Sequence, residues 1–500
     1  MVEPVINLYK QWALIISCHI KWFKIHERSA EYSSVIVKWS LSSVSCCHPY
    51  IAALPSVTSM VHAPAPYMTA DMSSIIGTPE ELLKISPKFT ENILIDILKE
   101  ISGHSEVKLG QYTLFRRDAC GDSYLSTITR LAVQGSDVVS KKQYSIALIV
   151  KSLPHNIGRR KTFRSCEFFQ NETAFYEKVM AKLLEFQKRK NPEKPFLEVP
   201  RCFKAVADGE NDFIVMEDVS PTGFKSASRT ESLDFEHCAS VLRCLGRFHG
   251  LSLAMKDQEP EEFKKAASCL KETYYSEDQR EWYRNMMKRI CNITIDAMEQ
   301  EYPNSSYEKK AKEFCNEGLF DVQMDLVKPR EPYSVITNGD AWICNFLFLY
   351  KDADGKKIQD TRMIDFQLAR YASPVCDMSF FLYSCTTKEF REAYLSDLVQ
   401  IYYKSMSDLV SDLGSDPNAV FPYKALESEM KAVSRYGFIM SLESVPFSEI
   451  DEKDAPNIDL IEGDDAVPLE KIWVLPPMHK EARQRIANNV IYAIENDHIS

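Results

Sequence analysis

Three oxygen-bearing side chains at short intervals carry the chemistry of this chain: Asp340, Asn345 and Asp365. The first two lie in Val335 to Tyr350, VITNGDAWICNFLFLY, and the third in Met363 to Gln367, MIDFQ. Phosphoryl transfer to an alcohol needs a carboxylate that positions the hydroxyl and accepts its proton. It also needs oxygen ligands for the Mg²⁺ that bridges the phosphates. The spacing D-x4-N followed by a second aspartate fits: Asp340 as the base, Asn345 and Asp365 at the metal. A Gly-Asp pair alone is a common polar turn. An aspartate in an apolar run such as Met363-Ile-Asp-Phe is less common, because an unpaired buried charge is costly and a metal would compensate it.

A site of this kind needs a nucleotide cradle upstream. Lys151 ends the alternating stretch Tyr144 to Lys151, on the same face as Ser145, Ala147 and Ile149. Such a face suits an adenine pocket with a phosphate contact at its end. Glu172, in Phe169-Gln-Asn-Glu-Thr-Ala-Phe-Tyr176, follows on a helix whose aromatic residues can anchor it to the sheet. It can orient Lys151 for the α- and β-phosphates of ATP. Gly121, Ser123 and Ser126 fall where a phosphate-covering loop belongs, although one glycine is also an ordinary hairpin turn. Phe213 to Val219 is an apolar strand ending in acids before Pro221 and Gly223. That suits an interlobe hinge, with the backbone of Glu217 and Val219 facing adenine.

The elements that must hold these residues are legible in the periodicity. Thr78-Pro-Glu-Glu81 is a helix start, and helical spacing continues to Ile101. From Val107 the period becomes two, and 108–116, 124–133 and 143–151 read as strands. Residues 167–188 read as a helix and 211–219 as a further strand. After Ser220-Pro-Thr-Gly223 the chain turns mainly helical, with a clear amphipathic helix over 233–255. A strand pair at 334–350 and 361–366 interrupts the helices, and 446–477 is acidic and poorly periodic. The expected fold is α+β and bilobal: residues 77–219 form a small antiparallel N-lobe with a packed helix, and 220–500 a larger helical C-lobe. His249 reads as a core or supporting histidine, and Asp377 as an anchor for the loop carrying Asp340.

Residues 1–76 contain no glycine and read as a poorly ordered extension, or as an over-long start with the true beginning at Met68 or Met72. Acidic residues and scarce arginine do not suit a transit peptide. The net charge of −11 argues against a general nucleic-acid or anionic-membrane binder. No segment is long and apolar enough to span a bilayer. The 14 cysteines show no zinc spacing and read as free thiols in a reducing, cytoplasmic setting. Nothing points to a protein partner.

Together the motifs GDSYLS, ALIVK, FFQNETAFY, FIVMEDV, LGRFHGLSLAM, NGDAWICN and MIDFQLARYASPVCDMSFFL resemble the ecdysteroid kinase-like family, also called CHK kinase-like, over residues 78–500. That family is related to choline and aminoglycoside kinases in the protein-kinase-like fold. The resemblance implies an ATP- and Mg²⁺-dependent kinase acting on a small-molecule hydroxyl, such as that of an ecdysteroid. Asp365-Phe366-Gln367 in place of Asp-Phe-Gly, with no Ala-Pro-Glu after it, weighs against a protein kinase. Asn338 departs from the family, which has histidine there to support the catalytic loop by hydrogen bonding. Asparagine offers donors and an acceptor but a different reach. The alternative expectation is therefore a catalytically weak pseudokinase that binds nucleotide or a lipophilic ligand without turnover.

Overall fold

The computed structural model describes residues 72–117, 125–352, 355, 357–450, 458, 461–472 and 474–499. Gly121 and Ser123, and residues 1–71 of the expected extension, lie outside them. The N-lobe is built on a six-stranded antiparallel sheet: β1 (Met72–Ile76), β2 (Val107–Arg117), β3 (Thr127–Asp137), β4 (Gln143–Ser152), β5 (Cys202–Val206) and β6 (Phe213–Glu217). Their spatial order is β1-β2-β3-β4-β6-β5. The edge strand β1 lies upstream of Thr78, where the periodicity began to signal order. The continuous helix expected over 78–101 is broken. A short helix ends at Leu83 and α1 (Glu91–Ser102) begins anew. Pro87 explains the break, since it has no N–H and restricts the residue before it.

Both faces of the sheet are covered. Leu94, Ile97 and Leu98 of α1, at helical spacing, pack with Leu114, Leu131 and Leu148 of the strands. The other face receives α2 (Ile157–Thr162) and a long helical run. That run is α3 (Ser165–Ala174), a π-helical turn (Phe175–Met180) and α4 (Ala181–Lys190). Alternation along β4 makes this possible, with Leu148 and Val150 pointing to one face and Ile149 and Lys151 to the other.

The C-lobe is mainly helical: α5 (Phe235–Gln258), α6 (Arg280–Glu301), α7 (Val375–Cys385), α8 (Lys388–Asp412), α9 (Tyr423–Ser448) and α10 (Lys480–Glu495), with shorter helices between. Close approach of α5 and α8 depends on Gly246 and Gly250. A Cβ there would meet the carbonyl oxygens of Tyr402 and Met406 at 2.6 and 2.8 Å. Five short strands complete the lobe: β7 (Lys225–Ser226), β8 (Val335–Thr337), β9 (Phe346–Tyr350), β10 (Ile358–Met363) and β11 (Arg370–Ala372). β8 pairs with β11 and β9 with β10, so the loops 338–345 and 364–369 leave the two ladders side by side. The fold is thus the bilobal α+β arrangement expected.

The lobes are tied together away from the sheet. Val467 N–H donates to Thr162 Oγ1 at 2.8 Å and Asn156 Nδ2 to the Ile461 carbonyl at 2.6 Å, so the segment after α9 returns to α2. Trp282 Nε1 donates to the Thr162 carbonyl at 3.0 Å. No helix of the described residues is long and apolar enough to cross a membrane, and the described cysteines are free thiols.

Candidate active site

Lys151 sits at the end of β4, 5 % exposed, across from Ile128 and Ile214. Its ammonium donates to Glu172 Oε2 at 2.7 Å and to Asp365 Oδ1 at 3.0 Å. Burial pulls the lysine pKa down, but the two carboxylates outweigh that and leave it above its ordinary value. Burial pushes the Glu172 carboxyl up, against the pull of Lys151. The three charges come from a strand of the N-lobe, a helix of the N-lobe and a loop of the C-lobe, so this one contact closes the interlobe cleft.

Asp365 is not the strand residue that the apolar run suggested. β10 stops at Met363, and Asp365 adopts φ 59° in the left-handed region, a conformation unfavourable for a residue other than glycine. Its neighbours hold it there. Phe366 N–H donates to the second oxygen of Glu172 at 3.4 Å, and Asn338 Nδ2 donates to the Asp365 carbonyl at 3.2 Å. The Phe366 ring stacks on Phe175 at 3.8 Å and meets Tyr176 and Phe248 edge-on. Burying that ring fixes the aspartate that precedes it.

The loop after β8 is held from beneath. Asp377, on α7, is 1 % exposed and accepts the amides of Asn338 at 2.7 Å and Gly339 at 2.8 Å. His249 Nε2 lies 3.2 Å from the same carboxylate, and its Nδ1 lies 2.8 Å from Tyr402 OH. Gly339 has φ 81°, and a Cβ there would lie 1.9 Å from the Leu368 carbonyl oxygen, so no other residue fits. Asn338 is fully buried and uses its whole amide. Oδ1 accepts the Asp340 N–H at 3.1 Å, and Nδ2 donates to the carbonyls of Ile364 and Asp365, both at 3.2 Å. The asparagine thus links the two aspartate loops directly.

Asn345 Nδ2 donates to Asp340 Oδ2 at 2.9 Å and to the Asp340 carbonyl at 2.8 Å. This commits its nitrogen and leaves Oδ1 as the atom to coordinate a cation. An amide oxygen and the Asp365 carboxylate form a hard donor set suited to Mg²⁺. Burial, and then the negative charge of Asp365, push the Asp340 carboxyl up to about 7, against the hydrogen bond from Asn345.

On the segment expected to be the hinge, Glu217 pairs with Leu148 and its N–H donates to the Arg201 carbonyl at 2.8 Å. Val219 is buried, and its carbonyl accepts Thr222 N–H at 3.1 Å. Asp218, which the sequence reading passed over, braces this link by accepting Arg130 Nη1 at 2.7 Å and Ser220 N–H at 2.9 Å. Ser126 is buried at the entry to β3, where its carbonyl accepts Arg159 Nη2 at 3.2 Å. The structure therefore brings Lys151, Glu172, Asp340, Asn345 and Asp365 into one connected group, with Glu217 and Val219 on the interlobe link.

The model of the ecdysteroid kinase-like family matches residues 120–415. The chain belongs to that family. The match spans β4 with Lys151, Glu172, β6 and the loops that carry Asp340 and Asp365, and the family is one of small-molecule kinases. Among solved structures, the GDP complex of an aminoglycoside 2'-phosphotransferase-IIIa aligns at 13 % identity, covering 71 % of this chain and 98 % of that one, with a TM-score of 0.31. A Plasmodium vivax ethanolamine kinase aligns at 12 % identity over 71 % and 95 %, TM-score 0.30. A glucosamine kinase aligns at 10 % identity over 69 % and 94 %, TM-score 0.28. No curated protein matches the chain.

Asn171, one residue before Glu172, was missed in the sequence. It is buried, and its Nδ2 donates to the carbonyls of Gln367 and Ala369 at 3.1 and 2.9 Å. Its position beside Glu172 was the available signal. Arg370, which faces Thr337 across the β8–β11 ladder and donates to Tyr436 OH at 2.6 Å, was also passed over, because its partner on α9 lies 66 residues away.

Proposed function

We propose that this chain is an ATP-dependent phosphotransferase that moves the γ-phosphate to the hydroxyl of a small alcohol. The family's description suggests an ecdysteroid or other steroid as acceptor. The supporting observation is the single network Glu172–Lys151–Asp365–Asn338–Asp340–Asn345, drawn from both lobes and closed by hydrogen bonds of 2.7 to 3.2 Å.

In this reading Lys151, oriented by Glu172, binds the α- and β-phosphates. Ser126, together with Gly121 and Ser123 of the same sequence motif, would contact the phosphates, and the backbone of Glu217 and Val219 would face adenine. Asn345 and Asp365 would hold Mg²⁺, which supplies neutralisation of phosphate charge when bound. Asp340 positions the acceptor hydroxyl and takes its proton. A carboxyl held near neutrality suits that work, since a base is most effective when its pKa lies near the operating pH. Catalysis is then mostly positioning in a preorganised field.

Asn338 favours turnover over binding alone. Its amide fills the supporting position that the resemblance assigns to histidine, with every polar atom of the side chain paired. The test is transfer from γ-labelled Mg-ATP to a panel of ecdysteroids and other alcohols, for the native chain and for Asp340→Asn. Labelled acceptor from the native chain only is expected. Tight Mg-ATP binding without transfer to any acceptor, unchanged by Asn338→His, would sink the reading in favour of a pseudokinase.

A further inference from the structure

The acidic, poorly periodic stretch after α9 takes no part in the phosphate chemistry, yet it crosses from the C-lobe to the N-lobe. Asn156 Nδ2, at the start of α2, donates to the Ile461 carbonyl at 2.6 Å, and Val467 N–H donates to Thr162 Oγ1, at the end of α2, at 2.8 Å. Between these two bonds the backbones nearly touch. A Cβ on Gly158 would meet the carbonyl oxygens of Gly463 and Asp465 at 2.6 and 3.0 Å. Ile461 and Leu469 are buried, and residues 462–466 between them are exposed. The segment is therefore a span fixed at both ends. Its far end is secured to α6, where Asn285 Nδ2 donates to Glu470 Oε1 at 3.0 Å.

The corner between α2 and α3 is gripped from its other side by the C-lobe as well. Trp282 Nε1 of α6 donates to the Thr162 carbonyl at 3.0 Å. Arg164, the residue before α3, donates from Nη1 to the Thr273 carbonyl at 2.8 Å, and its guanidinium lies 4.7 Å from the centre of the Trp282 ring. Thr162 is buried where the two grips meet, its hydroxyl serving the span and its carbonyl serving α6. From Ser165, the first residue of α3, Glu172 is about two helical turns away. Asn171 fastens that end of the helix to the Asp365 loop. The lobes of a hinged fold rock against one another, and a helix held only by its own sheet moves with its lobe. Here α3 is held by the C-lobe at its start and again beside Glu172.

We propose that residues 461–467 are an interlobe strap and that Thr162 is a positioning residue through which the strap holds α3, and with it Glu172, in register with Lys151. The proposal rests on the reading of Lys151 and Glu172 as the phosphate-binding pair. It adds that this pair is kept assembled from outside the N-lobe, before any nucleotide arrives. Thr162 acts only through the start of α3, so loosening it weakens nucleotide binding and leaves the Asp340 loop as it was.

The experiment uses the full chain and three variants. Thr162→Val removes the hydroxyl that accepts Val467 N–H, Thr162→Ser keeps it, and Gly158→Ala sets a methyl group against the strap without touching Thr162. Hydrogen exchange is followed on the protein without nucleotide, and a non-hydrolysable Mg-ATP analogue is titrated by calorimetry. Thr162→Val and Gly158→Ala are expected to speed exchange over residues 157–172 about tenfold, the equivalent of one lost hydrogen bond. They should also raise the Kd of the analogue by a similar factor at unchanged stoichiometry. Thr162→Ser should behave as the native chain in both measurements. Native exchange and native Kd in Thr162→Val and Gly158→Ala would overturn the strap. So would exchange that quickens evenly along the whole chain, or a fall in stoichiometry at native Kd, since both describe a protein that is merely less folded. Failure of the native chain to bind the analogue would sink the reading of Lys151 and Glu172. Exchange over 165–172 would then still decide the strap, supporting it if faster in Thr162→Val and overturning it if not.

Discussion

Asn338 is the residue whose replacement says most about how the loops are built. Asn338→Ala removes one acceptor and two donated bonds from a fully buried position. The Asp340 N–H is then left buried without its partner, at a cost of about 1–3 kcal/mol. The Ile364 and Asp365 carbonyls each lose a bond worth about 1 kcal/mol net. The sum is about 3–5 kcal/mol of folding stability. The activity loss is smaller in energy. If one bond's worth, about 1.4 kcal/mol, is lost only in the transition state, kcat falls about tenfold. Asn338→His retains one donor and one acceptor in the neutral ring, so kcat should stay within about threefold of the native value. The assays are urea unfolding monitored by tryptophan fluorescence and steady-state transfer on the same preparations. Native stability and activity in Asn338→Ala would refute the bridging account. A gain of about tenfold or more in Asn338→His would show instead that asparagine had weakened the site.

Two further outcomes follow from buried charges. Lys151→Met leaves Glu172 and Asp365 without their cation and should cost about 3 kcal/mol of stability. Adding Glu172→Gln should recover part of that loss while activity stays absent, and strictly additive stability changes in the double-mutant cycle would contradict the coupling. His498 is held down to about 4, from an ordinary 6.5, by burial and then by the charge of Arg391, with Tyr383 OH 2.5 Å from its Nδ1. Its neutral form belongs to the fold, so its contribution is full above pH 6.5 and is lost as pH falls towards 4. The loss is at most about 3.4 kcal/mol at 1.36 kcal/mol per pH unit. Denaturation curves between these pH values should flatten in His498→Gln, and an unchanged slope would argue against the linkage.

Much of the site could be read in one dimension because the chemistry sits in short local motifs. Lys151 follows from strand alternation, and the interval from Asp340 to Asn345 spans one loop. The helix of Glu172 is marked by Phe169, Phe175 and Tyr176, which the structure places in the buried core. What escaped the sequence depends on contacts between distant segments. Asp365 reads as a strand residue because its neighbours are apolar, yet Phe366 turns inward and pulls the chain into a left-handed bend. β5 has no alternation of burial to reveal it. Glu443 on α9 was not singled out in the sequence, because the tyrosines that cap it, Tyr274 and Tyr283, lie 169 and 160 residues away. Pro446, within α9, also masked how far that helix runs.

The central claim is that Asp340 accepts the proton of a small-molecule hydroxyl as that oxygen takes the γ-phosphate of ATP. Its most direct test is a single-turnover reaction with γ-labelled Mg-ATP and a small-molecule extract as acceptor, comparing the native chain with Asp340→Asn. The account expects label in a low-mass phosphomonoester, formed about 10²- to 10⁴-fold more slowly by the variant although it binds Mg-ATP as tightly. Equal rates in the two proteins, or label appearing only on protein or as inorganic phosphate, would contradict it.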